Sequence, residues 1–275
     1  MTTIPMVVCS VGSVDPTAAA GVLADLIVYE ALGVRPVAVV AAVSAQNGAS
    51  VRSLYPMSPR AIGDQLRSVW QQVRPAAVCI GLVPHAAGLR TVRRFLTALR
   101  PRPAIVLDPV WRASNGHELS DPSAVVELLA LLRVVTLATP NVDEAQRLSG
   151  QRIKNIAQAR RTALDLSAAG CAILLTGGHL PGPRCTDLLV SDGGVHVLAA
   201  PRRKRSMRGM GGLLSAAICA RLAHGDDVLS ACMSGRAFVR RALRSATALG
   251  KGKPQLWLPA RAGIAPGRRS RQRRP

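Results

Sequence analysis

The sequence predicts an α/β fold: a mostly parallel central sheet with antiparallel strands near one edge and helices on both faces. Three observations carry this reading. Short Val- and Ile-rich runs alternate with longer stretches of helical spacing as far as Leu175, a hairpin-like pair of runs then flanks Ser191-Asp192-Gly193-Gly194, and two helical segments close the chain. Alternating strand and helix signals imply parallel strands joined by crossover helices, whereas a glycine-bearing turn between two short strands implies a hairpin.

Taken in order, Pro5 to Val11 reads as a strand and Ala18 to Leu32 as the helix that follows. A strand at Pro36 to Val43, a helix near Pro59 to Val73, a strand at Ala76 to Ile80 and a helix near Ala86 to Leu99 continue the rhythm. Ala104 to Leu107, Val134 to Ala138 and Ala172 to Leu175 are further strands, with helices near Pro122 to Leu132, Asn141 to Ser149 and Asn155 to Ala169. Asp187 to Val190 and Val195 to Ala199 form the hairpin, and the closing helices are Gly212 to Ala223 and Val228 to Leu249, separated by the break at His224-Gly225.

With 275 residues and 48% hydrophobic content the chain can bury a substantial core, and it reads as one domain over residues 1–258 followed by an Arg-rich tail over 259–275. Between Arg261 and Pro275 lie six arginines, no acid and no apolar periodicity, so that segment is expected to be disordered. The formal charge of +21 would attract an anionic partner, yet nearly all the cations are arginine, which fits a compositional bias better than selected nucleic-acid binding. A 3% aromatic content leaves few platforms for stacking bases. The six cysteines show no C-x-x-C pair or zinc spacing and read as small core residues. The N-terminus lacks a basic leader, no apolar run reaches membrane-spanning length, and a cytoplasmic location is expected.

Ligands of open α/β sheets bind beyond the carboxyl ends of the strands. In this chain those positions carry Gly12, Ser13 and Asp15, then Gln46 and Asn47, Asp108, then Thr139, Asn141 and Glu144, and finally Thr176, Gly177, Gly178 and His179. Singly, each suits a loop or a helix cap; together they make a polar edge. Arg208-Gly209-Met210-Gly211-Gly212 precedes a helix, so its backbone N–H groups could converge on an anion, or its glycines could simply allow close packing. A second basic run, Arg202, Arg203, Lys204, Arg205 and Arg208, lies beside it, where charge could act on a bound phosphate.

These residues resemble the hydroxymethylpyrimidine and phosphomethylpyrimidine kinases of thiamine biosynthesis, within the ribokinase-like superfamily. Gly12-Ser13-Val14-Asp15-Pro16 with Ala20-Gly21-Val22-Leu23-Ala24-Asp25-Leu26 is similar to the family's opening motif, with either one residue inserted before Asp15 or the match offset there. Ala45-Gln46-Asn47, Leu107-Asp108-Pro109-Val110, Thr139-Pro140-Asn141 with Glu144, and Gly177-Gly178-His179 resemble its later motifs in order.

The resemblance implies a three-layer ribokinase-like sandwich, a small aminopyrimidine substrate, ATP and Mg²⁺ as cofactors, and a homodimer. It implies that Asp25 and Gln46 clamp the ring, with Asp15, Leu82 and Val110 beside them. Asn141, Thr176, Gly178 and Arg208 fall on the nucleotide side, Asp108 and Glu144 at the metal, and Gly209, Met210 and Gly211 at the anion hole. The family's proton acceptor, usually Cys or Asp, falls on Gly212, which has no side chain. Thr17-Ala18-Ala19 replaces the motif's Ser-Gly-Gly, Leu23 its Gln, and Arg208 a His or Asn.

Two expectations follow from the family, a kinase slowed by about two to four decades through loss of its base, or a relative that binds pyrimidine or nucleotide without turnover. A basic nucleic-acid-associated protein is the reading from another class, without a recognition motif behind it. A pyridoxal or sugar kinase would need a different ring pocket, against which Gln46 argues.

Overall fold

The computed structural model describes residues 6–113, 116–178, 180–203, 205–250 and 252–258. The first apolar run extends further than its periodicity suggests, because Val7–Val14 (β1) is paired on both sides, to Arg35–Gln46 (β2) and to Ala77–Ile80 (β4), both parallel. Gly12, Ser13 and Gln46 therefore lie within strand ends rather than after them.

Between β2 and β4 come Val51–Pro56 (β3) and the helix Pro59–Gln72 (α2), while Gly21–Ala31 (α1) joins β1 to β2. Ala86–Ala98 (α3), Ala104–Leu107 (β5), Ala124–Leu131 (α4), Leu137–Ala138 (β6), Val142–Ser149 (α5), Ile156–Ser167 (α6) and Ala172–Leu175 (β7) continue the alternation. Arg184–Ser191 (β8) and Gly194–Pro201 (β9) form the expected hairpin, and Met210–Ala223 (α7) and Val228–Ser245 (α8) close the fold.

The strand order is β3-β2-β1-β4-β5-β6-β7-β8-β9. β8 runs antiparallel to both β7 and β9, as expected at that edge. β3 adds a second antiparallel strand at the opposite edge, which the sequence reading omits. Val51-Arg52-Ser53-Leu54-Tyr55-Pro56 is half exposed and ends in proline, so it has neither a continuous apolar run nor the strict alternation of an interior strand. An edge strand tolerates both defects. The last helix ends four residues earlier than its periodicity suggests, because Thr247 turns to pair with Gln255.

Alternate side chains of the central strands feed two cores, which makes the molecule three layers. Cys9, Val11, Val78, Ile80, Ile105 and Leu107 pack with residues of α2 to α6, including Leu66, Leu96, Leu128 and Leu166. Val8, Ala77, Cys79 and Val106 face α1, α7 and α8 through Val28, Leu213, Ala217 and Phe238. Because successive strand residues point to opposite faces, a strand buried on both sides reads as an unbroken apolar run. The expected Arg-rich tail over 259–275 lies outside the described residues.

Leu96 is fully buried where α3 meets the sheet. Leu96→Ala is expected to lower unfolding free energy by about 2–5 kcal/mol, read from urea melts.

Candidate active site

Chain order reverses around β1, whose neighbours β2 and β4 are reached in opposite directions, so the carboxyl ends of β1 and β4 open a crevice. Above it stands the start of α7. Gly209 caps this helix with φ +71°, and a Cβ there would fall 2.1 Å from the Ala19 carbonyl oxygen. Only glycine serves at that point, for both conformation and space. The N–H groups of Met210, Gly211 and Gly212 open the helix, where amides lack intrahelical acceptors and favour an anion.

Gly211 and Gly212 are different. A Cβ at Gly212 would meet only Asp108 Oδ2, at 3.8 Å, and one at Gly211 the same oxygen at 3.9 Å. Both distances are ordinary contacts, so the space between the helix start and Asp108 is open to a side chain that this sequence does not supply.

Three carboxyl groups lie beneath this turn, buried and without an ion pair among the described residues. Asp25 projects from α1 toward β1, where Ser10 Oγ donates to its Oδ2 at 2.6 Å. Burial raises its pKa to about 7, the Ser10 hydrogen bond opposes the rise, and the charge of Asp108 adds to it. Burial likewise raises Asp108, which follows β5, against a lowering contact from Ser215. Glu144 is driven well above the carboxylate range by burial and then by Asp108.

Glu144 sits in a capping box: its Oε2 accepts from the Asn141 N–H at 2.9 Å and its own N–H donates to Asn141 Oδ1 at 3.0 Å. Among the described residues no cluster of three or more Asp, Glu, His or Cys could hold a metal ion. The Asp108 and Glu144 pair suits instead a hard divalent cation that takes its other ligands from phosphate and water.

On the β2 side, Arg208 is buried against Asp15. Its Nη2 lies 3.3 Å from Asp15 Oδ2 and 3.3 Å from Gln46 Oε1, and its Nη1 donates to the Asn47 carbonyl at 2.5 Å. Arg208 thus bonds Asp15 and Gln46, which the family resemblance assigns to the ring, although it sets Arg208 itself on the nucleotide side. Asp15 Oδ1 also accepts from the Thr17 N–H and hydroxyl, at 2.9 and 2.8 Å. In the same loop Ala18 holds φ +54°, a left-handed conformation that glycine would adopt without strain, at the place where the family motif has glycine.

On the opposite side Asn141 and Thr176 are bridged as parallel neighbours, with the Thr176 N–H donating to the Pro140 carbonyl at 2.9 Å. Gly177 passes so close to the Thr186 carbonyl that a Cβ would reach 1.8 Å from it, and its N–H donates to Asp187 Oδ1 at 2.8 Å. Arg236 Nε holds the other oxygen of Asp187 at 2.7 Å. Gly178 is exposed, and His179 lies outside the described residues.

Leu82 is buried after β4 and Val110 half-buried beyond Asp108, each available to an apolar ring edge. In the basic run Arg202 donates to the carbonyls of Gly178, Leu180 and Gly182, and Arg205 to that of Ala246. With Arg208 these arginines bind the chain's own backbone and acids. Two surface hollows, one bordered by Phe238, Arg241 and Leu258 and one by Arg67, Trp70 and Phe95, contain no carboxylate and none of the strand-end residues.

The structure thus gathers Asp15, Gln46 and Arg208 at one end, Asp25, Asp108 and Glu144 beneath the glycine turn, and Asn141 and Thr176 at the other end. Sequence reading misses Ser10, Ser215, Asp187 and Arg236. Asp187 could have been noticed as a lone acid in an apolar strand, whereas Ser10 and Ser215 carry no sequence signal, because serine is unremarkable in either place. Among the described residues no helix is long and apolar enough to cross a membrane.

The family model described as phosphomethylpyrimidine kinase matches residues 15–257. A hydroxymethylpyrimidine/phosphomethylpyrimidine kinase of Aquifex aeolicus is 30% identical over 250 residues, covering 90% of this chain and 98% of that protein. A thiamine biosynthesis multifunctional protein of Corynebacterium efficiens is 37% identical over 252 residues, covering 89% of this chain but 34% of the longer protein, so this chain spans about a third of that relative. The crystal structure of a phosphomethylpyrimidine kinase from Clostridium difficile superposes with a TM-score of 0.77 at 27% identity, covering 86% of this chain and 99% of that one.

The raised Asp25 has a measurable consequence. Its carboxyl holds a proton to about pH 7 when folded, against a reference value of 3.8. Between those values the folded state carries more protons than the unfolded state, so stability falls as pH rises, by at most about 1.4 kcal/mol per pH unit from this group. Asp25→Asn removes the titration. Its urea stability relative to the unmodified chain is expected to climb from pH 4 to pH 7 and then level off; parallel pH curves for the two proteins would refute the assignment.

Proposed function

We infer that this chain, which belongs to the phosphomethylpyrimidine kinase family, transfers a phosphoryl group from ATP to the hydroxymethyl oxygen of 4-amino-5-hydroxymethyl-2-methylpyrimidine, and to the monophosphate that results. The observation that carries the reading is the placing of a helix start with free N–H groups over the buried carboxyl groups Asp25, Asp108 and Glu144, with Gln46 at the end of β2.

Phosphoryl transfer depends mainly on positioning and on charge stabilisation. In this reading Asp25 and Gln46 pair with the polar edge of the ring, and Leu82 and Val110 cover its flat faces. The hydroxymethyl oxygen then points toward the N–H groups of Met210, Gly211 and Gly212, which stabilise negative charge on the transferring group. Asn141, Thr176 and Gly178 border the nucleotide. Asp108 and Glu144 would hold Mg²⁺, which, when bound, neutralises the phosphate charge.

The proton acceptor is what this chain lacks. Met210, Gly211 and Gly212 offer backbone donors only, and the open space beside Asp108 lies where a base would project. Turnover therefore proceeds below the rate of a relative with a side chain there, by about two to four decades.

The same space makes the test clean, since Gly212 accepts a Cβ without a clash. ADP release with the aminopyrimidine, ATP and magnesium is expected to be slow but substrate-dependent in the unmodified chain. Gly212→Cys should raise kcat by about 10²-fold or more. Gly212→Asp should gain less, because its carboxylate lands against that of Asp108. Equal kcat for the unmodified chain and Gly212→Cys would refute the missing-base account. Calorimetric binding with no turnover in any variant would favour a non-catalytic pyrimidine binder.

A further inference from the structure

We infer that Arg208 locks the Gln46 carboxamide in one orientation, with Oε1 toward the guanidinium and Nε2 toward the ligand, and so makes Gln46 a hydrogen-bond donor that selects rings presenting a lone pair at that edge. The inference rests on the pyrimidine reading of the site and adds what decides among pyrimidines.

The chemistry of the two groups fixes the orientation. A guanidinium carries five N–H donors and no acceptor, whereas a carboxamide has one acceptor end and one donor end. Arg208 Nη2 stands 3.3 Å from the end of Gln46, so the atom facing it is Oε1. The reversed amide would set N–H against N–H and leave a donor unpaired in a half-buried site. With Oε1 engaged, what remains for a ligand is the Nε2 amide.

Arg208 is itself held from several directions, so it cannot swing away to release the amide. Nη1 donates to the Asn47 carbonyl, Nη2 is paired to Asp15, and the backbone N–H of Arg208 donates to the Pro254 carbonyl at 2.8 Å. Asp15 is in turn fixed by Thr17, whose carbonyl accepts from Gln255 Nε2 at 3.0 Å. The segment at 254–255 thus braces both partners of the ion pair. Gly209, next in the chain, opens the anion turn, so one residue ties the ring-binding end to the phosphate-binding end.

The consequence is selectivity between two rings of nearly equal shape. A 4-aminopyrimidine offers a ring nitrogen lone pair beside its amino group; the 4-oxo analogue offers a ring N–H beside a carbonyl. A locked donor at Gln46 that faces this ring nitrogen donates to the first and meets an N–H in the second. A carboxamide free to turn would accept either.

Calorimetry with 4-amino-5-hydroxymethyl-2-methylpyrimidine and its 4-oxo analogue tests this. The unmodified chain should prefer the amino ring by about 10²-fold or more, the cost of a mispaired polar group in a binding site. Removing Arg208 alone would strand the buried Asp15, so the informative variant is the double change Asp15→Asn with Arg208→Gln, its fold checked by circular dichroism and melting. In it the preference should fall at least about tenfold, because the amide can turn to suit either ring. Gln46→Glu, which only accepts at pH 8, should invert the preference. A folded double variant that keeps the full preference overturns the inference alone, as does an unmodified chain that binds both rings equally. An unmodified chain that binds neither ring overturns the pyrimidine reading and the inference with it.

Discussion

Burial of Asp25, Asp108 and Glu144 beneath a single helix start is the constraint to which the rest of the site answers. A carboxylate taken out of water without a cation is costly, and the folded protein meets that cost by holding on to protons: all three groups are raised, first by desolvation and, for Asp25 and Glu144, by the charge of Asp108 as well. Neutral hydrogen bonds from Ser10 and Ser215 soften the penalty without removing it. Such an arrangement costs stability, which the cation and phosphates of the proposed reaction would restore. The helix dipole of α7 acts in the same sense, since its N-terminal end faces the acids.

Arg208 and Asp15 show the opposite solution a short distance away. There a buried acid is paired with a buried guanidinium, and Gln46, Asn47 and Thr17 engage further donors and acceptors of the two. A pair closed in this manner gives shape rather than affinity for charge. One crevice thus holds a closed ion pair at one end and, beneath the helix start, three buried carboxyl groups without an ion pair among the described residues. The open space at Gly212 lies against the acidic end, where proton transfer would occur.

Much of this was legible beforehand, for identifiable reasons. Interior strands such as Ala104–Leu107 and Ala172–Leu175 match the sequence reading to the residue, because burial on both faces leaves an unbroken apolar run with sharp ends. The edge strand Val51–Pro56 was hidden because half of it faces water and it ends in proline. Among site residues, the strand-end rule and the family motifs bring out the acids, Gln46 and the glycine turn. Neither could reveal which way Arg208 points, since its direction follows from contacts with residues about 160 and 190 positions away. The same reason hides the pairing of Arg236 with Asp187, which steadies Gly177, although Asp187 itself stands out as a lone acid in an apolar strand.

The cost of the buried charges at the acidic end is tested most directly by comparing melting temperatures of the unmodified chain and Asp108→Asn at pH 8, each alone, with ADP plus EDTA, and with Mg-ADP. The account predicts that the empty Asp108→Asn protein melts higher than the unmodified one, because an uncompensated buried charge is gone. It also predicts that Mg-ADP raises the melting temperature of the unmodified chain well beyond ADP with EDTA, an increment the variant loses. An empty variant that melts lower, together with equal shifts for ADP with and without magnesium, would contradict it.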